Sequence, residues 1–515
     1  MIKRISYLSL FFVIVHLHVV GQKDSSLKDG YPTPIADALQ KTIRNRNELE
    51  KVLNHYYTDG NEQKRQATNF LILNMPYHFS FNYYWADYKG KKIDFNELDY
   101  PSYDSSNVVL NKLKVKTIGI HPVKLIYSDA DTITANYLIS MIDSAFDTWQ
   151  HSPVKSNFVD FCEYLLPYRV SIEPVQDWWA KYKQQFSWVS DSINSKGIVE
   201  AISDVGISCG KWFDNTYSKE KRKEPLPRLG ALQLLFRGKG ACEDVADLQA
   251  LALRSQGIAA TIDEVPFWAT STGTHFVTSI LDINGATVKL DPANPTLQGK
   301  YKMAREPGKV LRLTFSNQKE TLANKIPIDS IPEGMLRMVN YKDVTEEYWE
   351  TQDVIVPLFT NEPIVYACVL NGLKWSPIWW SSTMSKKAIF TNMSKGVTYL
   401  PMIYKNRSLI PAGYPIAIGY NHTSLLIPDT INTHTIQIQQ QDKYLIYRPG
   451  KQYKLYYWDK QWKLVATQTT SLSPTTEVLT FTNIPQNALL LLLPEYSQGK
   501  ERPFIITDKG ERVWW

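Results

Sequence analysis

The hydrophobic periodicity of the chain changes from helical to strand-like along its length, and this change limits the possible folds most. Within 31–217, apolar residues recur at spacings of three and four, which indicates amphipathic helices. After about Val354 the sequence is rich in Trp, Tyr and Thr, with turn signals at Asn371-Gly372 and Pro449-Gly450, which indicates strands. The stretch 229–295 reads as a helix followed by strands. We therefore predict an α+β protein.

Five segments of the N-terminal region carry the helical pattern. They are 39–56, 133–149, Phe158–Leu166, Val175–Val189 and Ile198–Trp212. Paired aromatic residues such as Trp178 and Trp179 are expected in the core, and packing is also the favoured role for Tyr168 and Arg169.

The chain is long enough for several domains, since 515 residues correspond to about three domains at roughly 150 residues each. With 43% of residues hydrophobic and 21% charged, the composition excludes a disordered or fibrous protein. The changes in pattern predict a signal peptide at 1–21, a mainly helical region at 22–217, a mixed core at 218–345, and β modules at 346–440 and 441–515.

Residues 1–21 have the features of a secretory signal peptide. Lys3 and Arg4 precede an apolar run, and the small Gly21 suits cleavage before Gln22. We favour cleavage over an uncleaved anchor, because polar residues interrupt the run and no later stretch is long and apolar enough to span a bilayer. We therefore expect an exported protein, periplasmic or extracellular, with no transmembrane span. The net charge of +6, or +4 without the leader, argues against a nucleic-acid partner.

The C-terminal part contains a weak internal repeat. Its first copy has Phe390-Thr391-Asn392-Met393 followed by Leu400-Pro401. Its second copy has Phe481-Thr482-Asn483-Ile484 followed by Leu493-Pro494. The repeat indicates two small β modules or one duplicated sandwich.

Seven of the fifteen tryptophans also lie in this C-terminal region. They are Trp375, Trp379, Trp380, Trp458, Trp462, Trp514 and Trp515. Exposed tryptophans stack on sugar rings, so glycan contact through these aromatics is one interpretation, but packing in the sandwich core is favoured.

The four cysteines are too few and too scattered for a disulfide framework or a zinc site. No His, Asp or Glu cluster has metal-ligand spacing, and no glycine-rich phosphate loop is present, so the sequence indicates no metal and no cofactor. Cys162, Cys209 and Cys368 are expected to be small core residues. The remaining question is whether Cys242 has a chemical role.

Cys242 stands where a helix is expected to begin. The segment Arg237–Asp244 opens this helix, and Gly257 is placed to end it. The expected buried stripe is Ala241, Val245, Leu248 and Ala252. Free N–H groups and the positive end of the helix dipole stabilise a thiolate in the first turn, and the same N–H groups suit the oxyanion of an acyl-transfer intermediate. Gly238 and Gly240 leave room for a substrate near the backbone.

A base and an orienting carboxylate follow downstream. His275 lies in a β-type run, a turn is indicated at Asn284-Gly285, and Asp291 ends the next run. If the two runs form a hairpin, Asp291 orients the imidazole of His275, and His275 serves Cys242 as base and later as acid. Each residue alone has an ordinary structural explanation, so the prediction depends on all three in this order.

This order of residues resembles the transglutaminase-like superfamily. The resemblance rests on Gly240-Ala241-Cys242-Glu243-Asp244, on Leu253–Ala260, on His275 and on Leu290-Asp291-Pro292. It implies a papain-like α+β core at 218–345 with a catalytic triad of Cys242, His275 and Asp291. The family often has an aromatic residue, frequently Trp, directly after the histidine or two residues after it. Here Phe276 and Val277 fill those places, and we expect Trp268, in Pro266-Phe267-Trp268, to be a substitute wall of the site.

The flanking regions resemble secreted multidomain proteins of Bacteroidota, which combine a helical N-terminal region, a core of this type and β modules. Acylation of the cysteine by a peptide, protein or glycopeptide amide is the expected first step. Hydrolysis by water is favoured over transfer to an amine, which is the reaction of a protein-crosslinking transglutaminase. A non-catalytic glycan- or protein-binding protein on the same scaffold is a further alternative, although the presence of all three residues favours an enzyme.

Overall fold

The computed structural model describes most of the chain. The described residues are 27–28, 30–42, 44–215, 228–281, 287–292, 303–441, 445–472, 478–507, 510 and 512–514. The α-helices among them are α1 (Thr33–Lys41), α2 (Arg46–Thr58), α3 (Glu62–Asn74), α4 (Tyr103–Lys116), α5 (Ala135–His151), α6 (Phe158–Tyr164), α7 (Trp179–Gln185), α8 (Trp188–Lys196), α9 (Ile198–Trp212), α10 (Ala231–Arg237) and α11 (Cys242–Ser255). The predicted signal peptide and the turn at Asn284-Gly285 lie outside the described residues.

Strands dominate the second half of the chain. They are β1 (Leu27–Lys28), β2 (Tyr31–Pro32), β3 (Phe79–Ala86), β4 (His121–Ser128), β5 (Ala260–Val265), β6 (His275–Leu281), β7 (Thr287–Leu290), β8 (Leu311–Leu313), β9 (Tyr341–Asp343), β10 (Thr351–Pro357), β11 (Ile364–Asn371), β12 (Lys374–Met384), β13 (Lys387–Ser394), β14 (Val397–Lys405), β15 (Ser408–Pro411), β16 (Ile416–Ile418), β17 (Thr423–Leu425), β18 (Asp429–Gln439), β19 (Gln452–Trp458), β20 (Trp462–Thr469), β21 (Val478–Gln486), β22 (Leu490–Pro494), β23 (Phe504–Ile506) and β24 (Arg512–Trp514). Helices and antiparallel sheets occur in similar proportion, and the C-terminal strands are sandwich-like, which confirms the α+β prediction.

The N-terminal region is largely helical but differs from the prediction in several places. The predicted face 39–56 falls on two helices, α1 and α2, and β1 pairs with β2 before them. The segment Val175–Val189 is two helices, α7 and α8, because the chain turns at Phe186 and buries that ring at 1% exposure. The region also contains an antiparallel ribbon of β3 and β4, which the helical pattern did not predict. The aromatic-rich sequence Phe79–Trp85 favours a strand at this point. By contrast, α9 has the predicted bounds Ile198–Trp212.

Buried polar contacts fasten this region to the core. Tyr168 and Arg169 are buried as expected, and Arg169 pairs with Asp129 at 2.9 Å. From α11, the guanidinium of Arg254 donates to the backbone oxygens of Pro167 at 3.2 Å and of Arg169 at 2.5 Å. The helix that begins at Cys242 is thus fixed from the side of the N-terminal region.

The core consists of α11 against a five-stranded sheet of order β7-β6-β5-β8-β9. Thr278 of β6 donates to the backbone oxygen of Ala246 on α11, so this face of the sheet meets the helix. The predicted single buried stripe is too narrow, because every residue from Glu243 to Ser255 is buried. The N-terminal helices cover the sides of α11 that the sheet leaves open.

The opposite face of the same sheet carries a charged network. Asp263 of β5 accepts hydrogen bonds from Arg312 of β8 at 2.9 and 2.8 Å and from Lys289 of β7 at 3.2 Å. Glu347 accepts a further bond from each of these cations, at 2.6 and 2.7 Å. Arg312 and Lys289 hold the pKa of the Asp263 carboxyl well below its usual range despite its full burial. Three strands of the sheet are thereby tied together.

The two β modules repeat the same strand pairings. In the first, β10 pairs with β13, and β11 pairs with β12 and β14. In the second, β18 pairs with β21, and β19 pairs with β20 and β22, so this set of strands begins at Asp429, before residue 441. Phe390 and Phe481 are buried at equivalent points, and Asn392 and Asn483 have φ values of 56° and 58° where the register shifts. Asn tolerates this conformation better than most residues, so the repeated sequence encodes a β-bulge in both copies.

Five of the C-terminal tryptophans pack in one cluster that joins the modules to the segment between β8 and β9 of the core sheet. They are Trp375, Trp379, Trp380, Trp458 and Trp462. These contacts favour the packing interpretation, while the side chains of Trp514 and Trp515 lie outside the described residues. In the part of the chain that the structure covers, no helix is long and apolar enough to cross a membrane.

Candidate active site

Cys242 is the first residue of α11, and the turn before it is closely packed. The N–H of Ala241 donates to Oδ2 of Asp244 at 2.7 Å, which caps the helix start. A Cβ on Gly240 would lie 2.6 Å from Cβ of Asp244, so only glycine fits there. Gly238 has φ +57° and ends α10. From the sequence we expected both glycines to leave room for a substrate. The structure gives other reasons for them: close packing against Asp244 requires Gly240, and the positive φ favours Gly238.

The far end of α11 is closed as expected at Gly257. This residue has φ +81°, and its N–H donates to the oxygen of Arg254 at 3.0 Å. The N–H of Ile258 donates to the oxygen of Leu253 at 3.1 Å, which completes a Schellman motif. Both ends of the helix are therefore specified by local sequence, and its first residue is held in a fixed position.

His275 is the first residue of β6, and Asp291 directly follows the neighbouring strand β7 of the core sheet. In the β6–β7 pairing Thr278 faces Leu290, so the same register places Asp291 opposite Val277, two residues from His275 on one face. Nε2 of His275 donates to both carboxylate oxygens of Asp291 at 3.2 Å. The two side chains are 13% and 12% exposed, so the pair is largely shielded from water.

The Cys242 side chain is within hydrogen-bonding reach of His275. Because Asp291 engages Nε2, Nδ1 is the ring nitrogen that remains for the sulfur. Burial disfavours the charged imidazolium, but the hydrogen bonds and charges of Asp291 and Cys242 outweigh it and raise the pKa of His275 to about 9. At neutral pH the imidazole is therefore protonated, between a carboxylate and a sulfur.

The other three cysteines have a different environment. Cys162, Cys209 and Cys368 are fully buried, whereas Cys242 is partly accessible. Burial raises the pKa of the Cys209 thiol to about 12 and raises the pKa of the other two buried thiols as well. Their burial agrees with the expectation that they are core residues.

Trp268 forms one wall of the site. Its indole stacks on the imidazole of His275, with 5.4 Å between ring centroids and 27° between planes. The two residues after the histidine, Phe276 and Val277, are buried in the core, and the guanidinium of Arg228 lies 4.7 Å from the Phe276 ring centroid. The aromatic ring that contacts the imidazole is therefore Trp268, from the loop before β6, and not a residue of β6 after the histidine.

Comparisons with known proteins give little beyond this geometry. No protein-family model matches the chain, and no curated protein matches its sequence. Among solved structures, the crystal structure of red sea bream transglutaminase is a weak neighbour, with a TM-score of 0.24 and 9% identity. The match covers 85% of this chain and 76% of that chain. A similarity this low does not assign the chain to a family.

The structure brings together the three residues that the sequence singled out and adds residues that the sequence did not. The sequence pointed to Trp268, because an aromatic residue stands a few positions before the histidine. It did not point to Asp244 as the cap of α11 or to Asn371 as a contact of the Trp268 loop. Among the described residues, no group of three or more His, Cys, Asp or Glu side chains is arranged to hold a metal ion.

Proposed function

We propose that this chain is a thiol enzyme of transglutaminase-like type that forms an acyl intermediate on Cys242. One observation carries the proposal: the His275 imidazole contacts Asp291 through Nε2 and lies within hydrogen-bonding reach of the thiol at the start of α11. Nucleophile, base and orienting carboxylate are the parts that acyl transfer needs. The resemblance of the sequence around Cys242, His275 and Asp291 to that family supports the same conclusion.

The first half-reaction is acylation. The Cys242 thiol gives its proton to His275, and the resulting thiolate attacks the carbonyl carbon of an amide. The oxyanion accepts a hydrogen bond from the backbone N–H of Cys242, which as a first-turn group has no acceptor within its helix. The C–N bond then breaks as His275 donates a proton to the leaving nitrogen. A thioester and a free amine result, and Asp291 holds the imidazole in orientation throughout.

The second half-reaction decides the class of enzyme. Water gives a proton to His275 and attacks the thioester, the C–S bond breaks, and an acid is released. A primary amine in place of water gives a new amide, which is crosslinking. We favour hydrolysis of peptide or glycopeptide amides, because the N-terminal residues 1–21 have the composition of a signal peptide for export. Crosslinking and non-catalytic binding are the alternatives.

A direct test uses the full mature chain and matched variants. The protein is incubated with peptides and glycopeptides, with and without a fluorescent primary amine, and the products are followed by mass spectrometry. We expect amide hydrolysis and an acyl adduct on Cys242 that is absent from Cys242→Ala and retained in Cys209→Ala, which removes a buried thiol elsewhere. Amine incorporation would support the crosslinking alternative. Glycan binding without any amide product or adduct would support a binding protein.

A further inference from the structure

The hairpin turn between β11 and β12 of the first β module reaches the loop beside His275. Asn371 is the last residue of β11, and Gly372 and Leu373 form the turn with φ values of 57° and 60°. The Nδ2 amide of Asn371 lies 3.0, 2.9 and 3.2 Å from the backbone oxygens of Trp268, Ser271 and Gly273. Its Oδ1 accepts from the N–H of Gly273 at 3.2 Å. One side chain thus contacts four backbone groups of a single loop, and the two N–H groups of its amide are shared among the three oxygens.

Neighbouring side chains of this loop pack in two different places, the first β module and the core. Phe267 and Ala269 pack into the apolar interior of the module, together with Val369 of β11. Trp268, between them, points away from the module: its indole packs against Val265 and Val277 of the core sheet and stacks on the imidazole of His275. Two neighbours of Trp268 are therefore held by the module, while the indole itself contacts the imidazole.

We infer that Asn371 is a positioning residue: through the loop 268–273 it holds the Trp268 indole against His275, so the first β module is part of the active site. This inference rests on the proposed function in that the positioned histidine serves Cys242. The contact of Asn371 with the loop and of the indole with the imidazole does not depend on which amide is the substrate.

The amide group of Asn371 is specifically suited to this task. A carboxylate at residue 371 would keep the acceptor for the Gly273 N–H but place negative charge against three carbonyl oxygens, and alanine would remove all four contacts. Loss of these contacts frees the loop and allows the indole to leave the imidazole. A displacement of about 1 Å in a catalytic group can reduce a rate by about 100-fold.

The test follows Trp268 directly by ¹⁹F NMR of the full chain labelled with 5-fluorotryptophan. The Trp268 resonance is assigned with Trp268→Phe. In the wild type this resonance should titrate near pH 9, the pKa of His275, and His275→Gln should abolish that titration. Asn371→Ala and Asn371→Asp should shift the resonance and reduce its titration, and should slow alkylation of Cys242 by about 10- to 100-fold.

The control is Asn361→Ala in the same module, where the side chain accepts from the N–H of Lys386 at 3.0 Å and not from the Trp268 loop. It should leave the Trp268 resonance and the alkylation rate unchanged. The remaining tryptophan resonances report whether each variant is folded, and Asn371→Ser, which keeps one donor, replaces a variant that does not fold. A Trp268 resonance that keeps its position and titration in folded Asn371→Ala overturns the inference. If wild-type protein shows this titration but has no amide turnover, the proposed function fails and the positioning role stands.

Discussion

The imidazole of His275 is held by the carboxylate of Asp291 through two hydrogen bonds of 3.2 Å from the same nitrogen, Nε2. This contact fixes which ring nitrogen faces the carboxylate and leaves Nδ1 for the sulfur of Cys242. His275 begins β6 and Asp291 directly follows its neighbour β7, so the pairing of these two strands sets their separation.

Replacement of Asp291 tests the orienting role. Asp291→Asn preserves the shape of the side chain but removes the charge that favours the imidazolium, so the pKa of His275 should fall from about 9. The equivalent change in the Ser-His-Asp triad lowers kcat by about 10⁴-fold, so here it should reduce kcat/KM by up to about 10⁴-fold. The measurement is the rate of amide hydrolysis together with the His275 titration. An Asp291→Asn variant with full activity and unchanged titration would show that the carboxylate has no orienting role.

The raised pKa of His275 also predicts a pH dependence of stability. The pKa rises from 6.5 in the unfolded chain to about 9 in the folded protein, so folding favours the protonated form. The resulting contribution, up to about 3.5 kcal/mol at about 1.4 kcal/mol per pKa unit, is fully present below pH 6.5 and is lost as the pH rises through 9. Urea unfolding of wild type and His275→Gln between pH 6 and 10 measures it. The difference between the two should shrink with rising pH, and a constant difference would contradict the assignment.

The Trp268 indole contributes to both stability and reactivity. It is 8% exposed, and Trp268→Ala should reduce the free energy of unfolding by about 3–5 kcal/mol through loss of buried area. The alkylation of Cys242 should also be slower in this variant, since the His275 imidazole loses the indole that stacks on it. Trp268→Phe keeps an aromatic face and should retain most of the alkylation rate. Equal rates in all three proteins would limit Trp268 to a structural role.

The charged network behind the sheet makes a separate stability prediction. Asp263→Ala leaves the buried cations Arg312 and Lys289 without their main partner and should reduce the free energy of unfolding by about 3–5 kcal/mol. The exposed pair Lys405–Glu362 is the comparison, because Lys405→Ala should change stability by at most about 1 kcal/mol. Urea unfolding at pH 7 measures both. Similar small effects would indicate that water enters the network.

The parts of the fold that local sequence specifies were predictable, and those that depend on tertiary contacts were not. Gly257 ends α11 because its φ of +81° requires glycine, and such a requirement is visible in the sequence. The break at Phe186 and the burial of α11 on all sides depend on what packs against them. Periodicity identifies one apolar face, but neighbouring helices decide how much of the remaining surface is covered.

The same distinction applies to the candidate site. The order of Cys242, His275 and Asp291 along the chain and the hairpin pattern predicted that the three meet, and the hydrogen bonds between β6 and β7 provide the register for it. The role of Asn371 is different, since it lies about a hundred residues from the loop that it contacts. Its Asn-Gly sequence indicates only a turn, and the turn is indeed where the hairpin reverses. The residues around Asn371 do not indicate that this turn contacts the Trp268 loop, because that contact depends on how the module packs on the core.

The most direct test of the account is competitive labelling of the four cysteines in the native full-length protein with iodoacetamide, read by mass spectrometry of peptides. Cys162, Cys209 and Cys368 are buried with raised thiol pKa values, while Cys242 is accessible and lies beside a protonated imidazole. We predict that Cys242 is labelled well before the others and that His275→Gln slows its labelling selectively. Slow labelling of all four cysteines at equal rates, unaffected by His275→Gln, would contradict the assignment of Cys242 as the nucleophile.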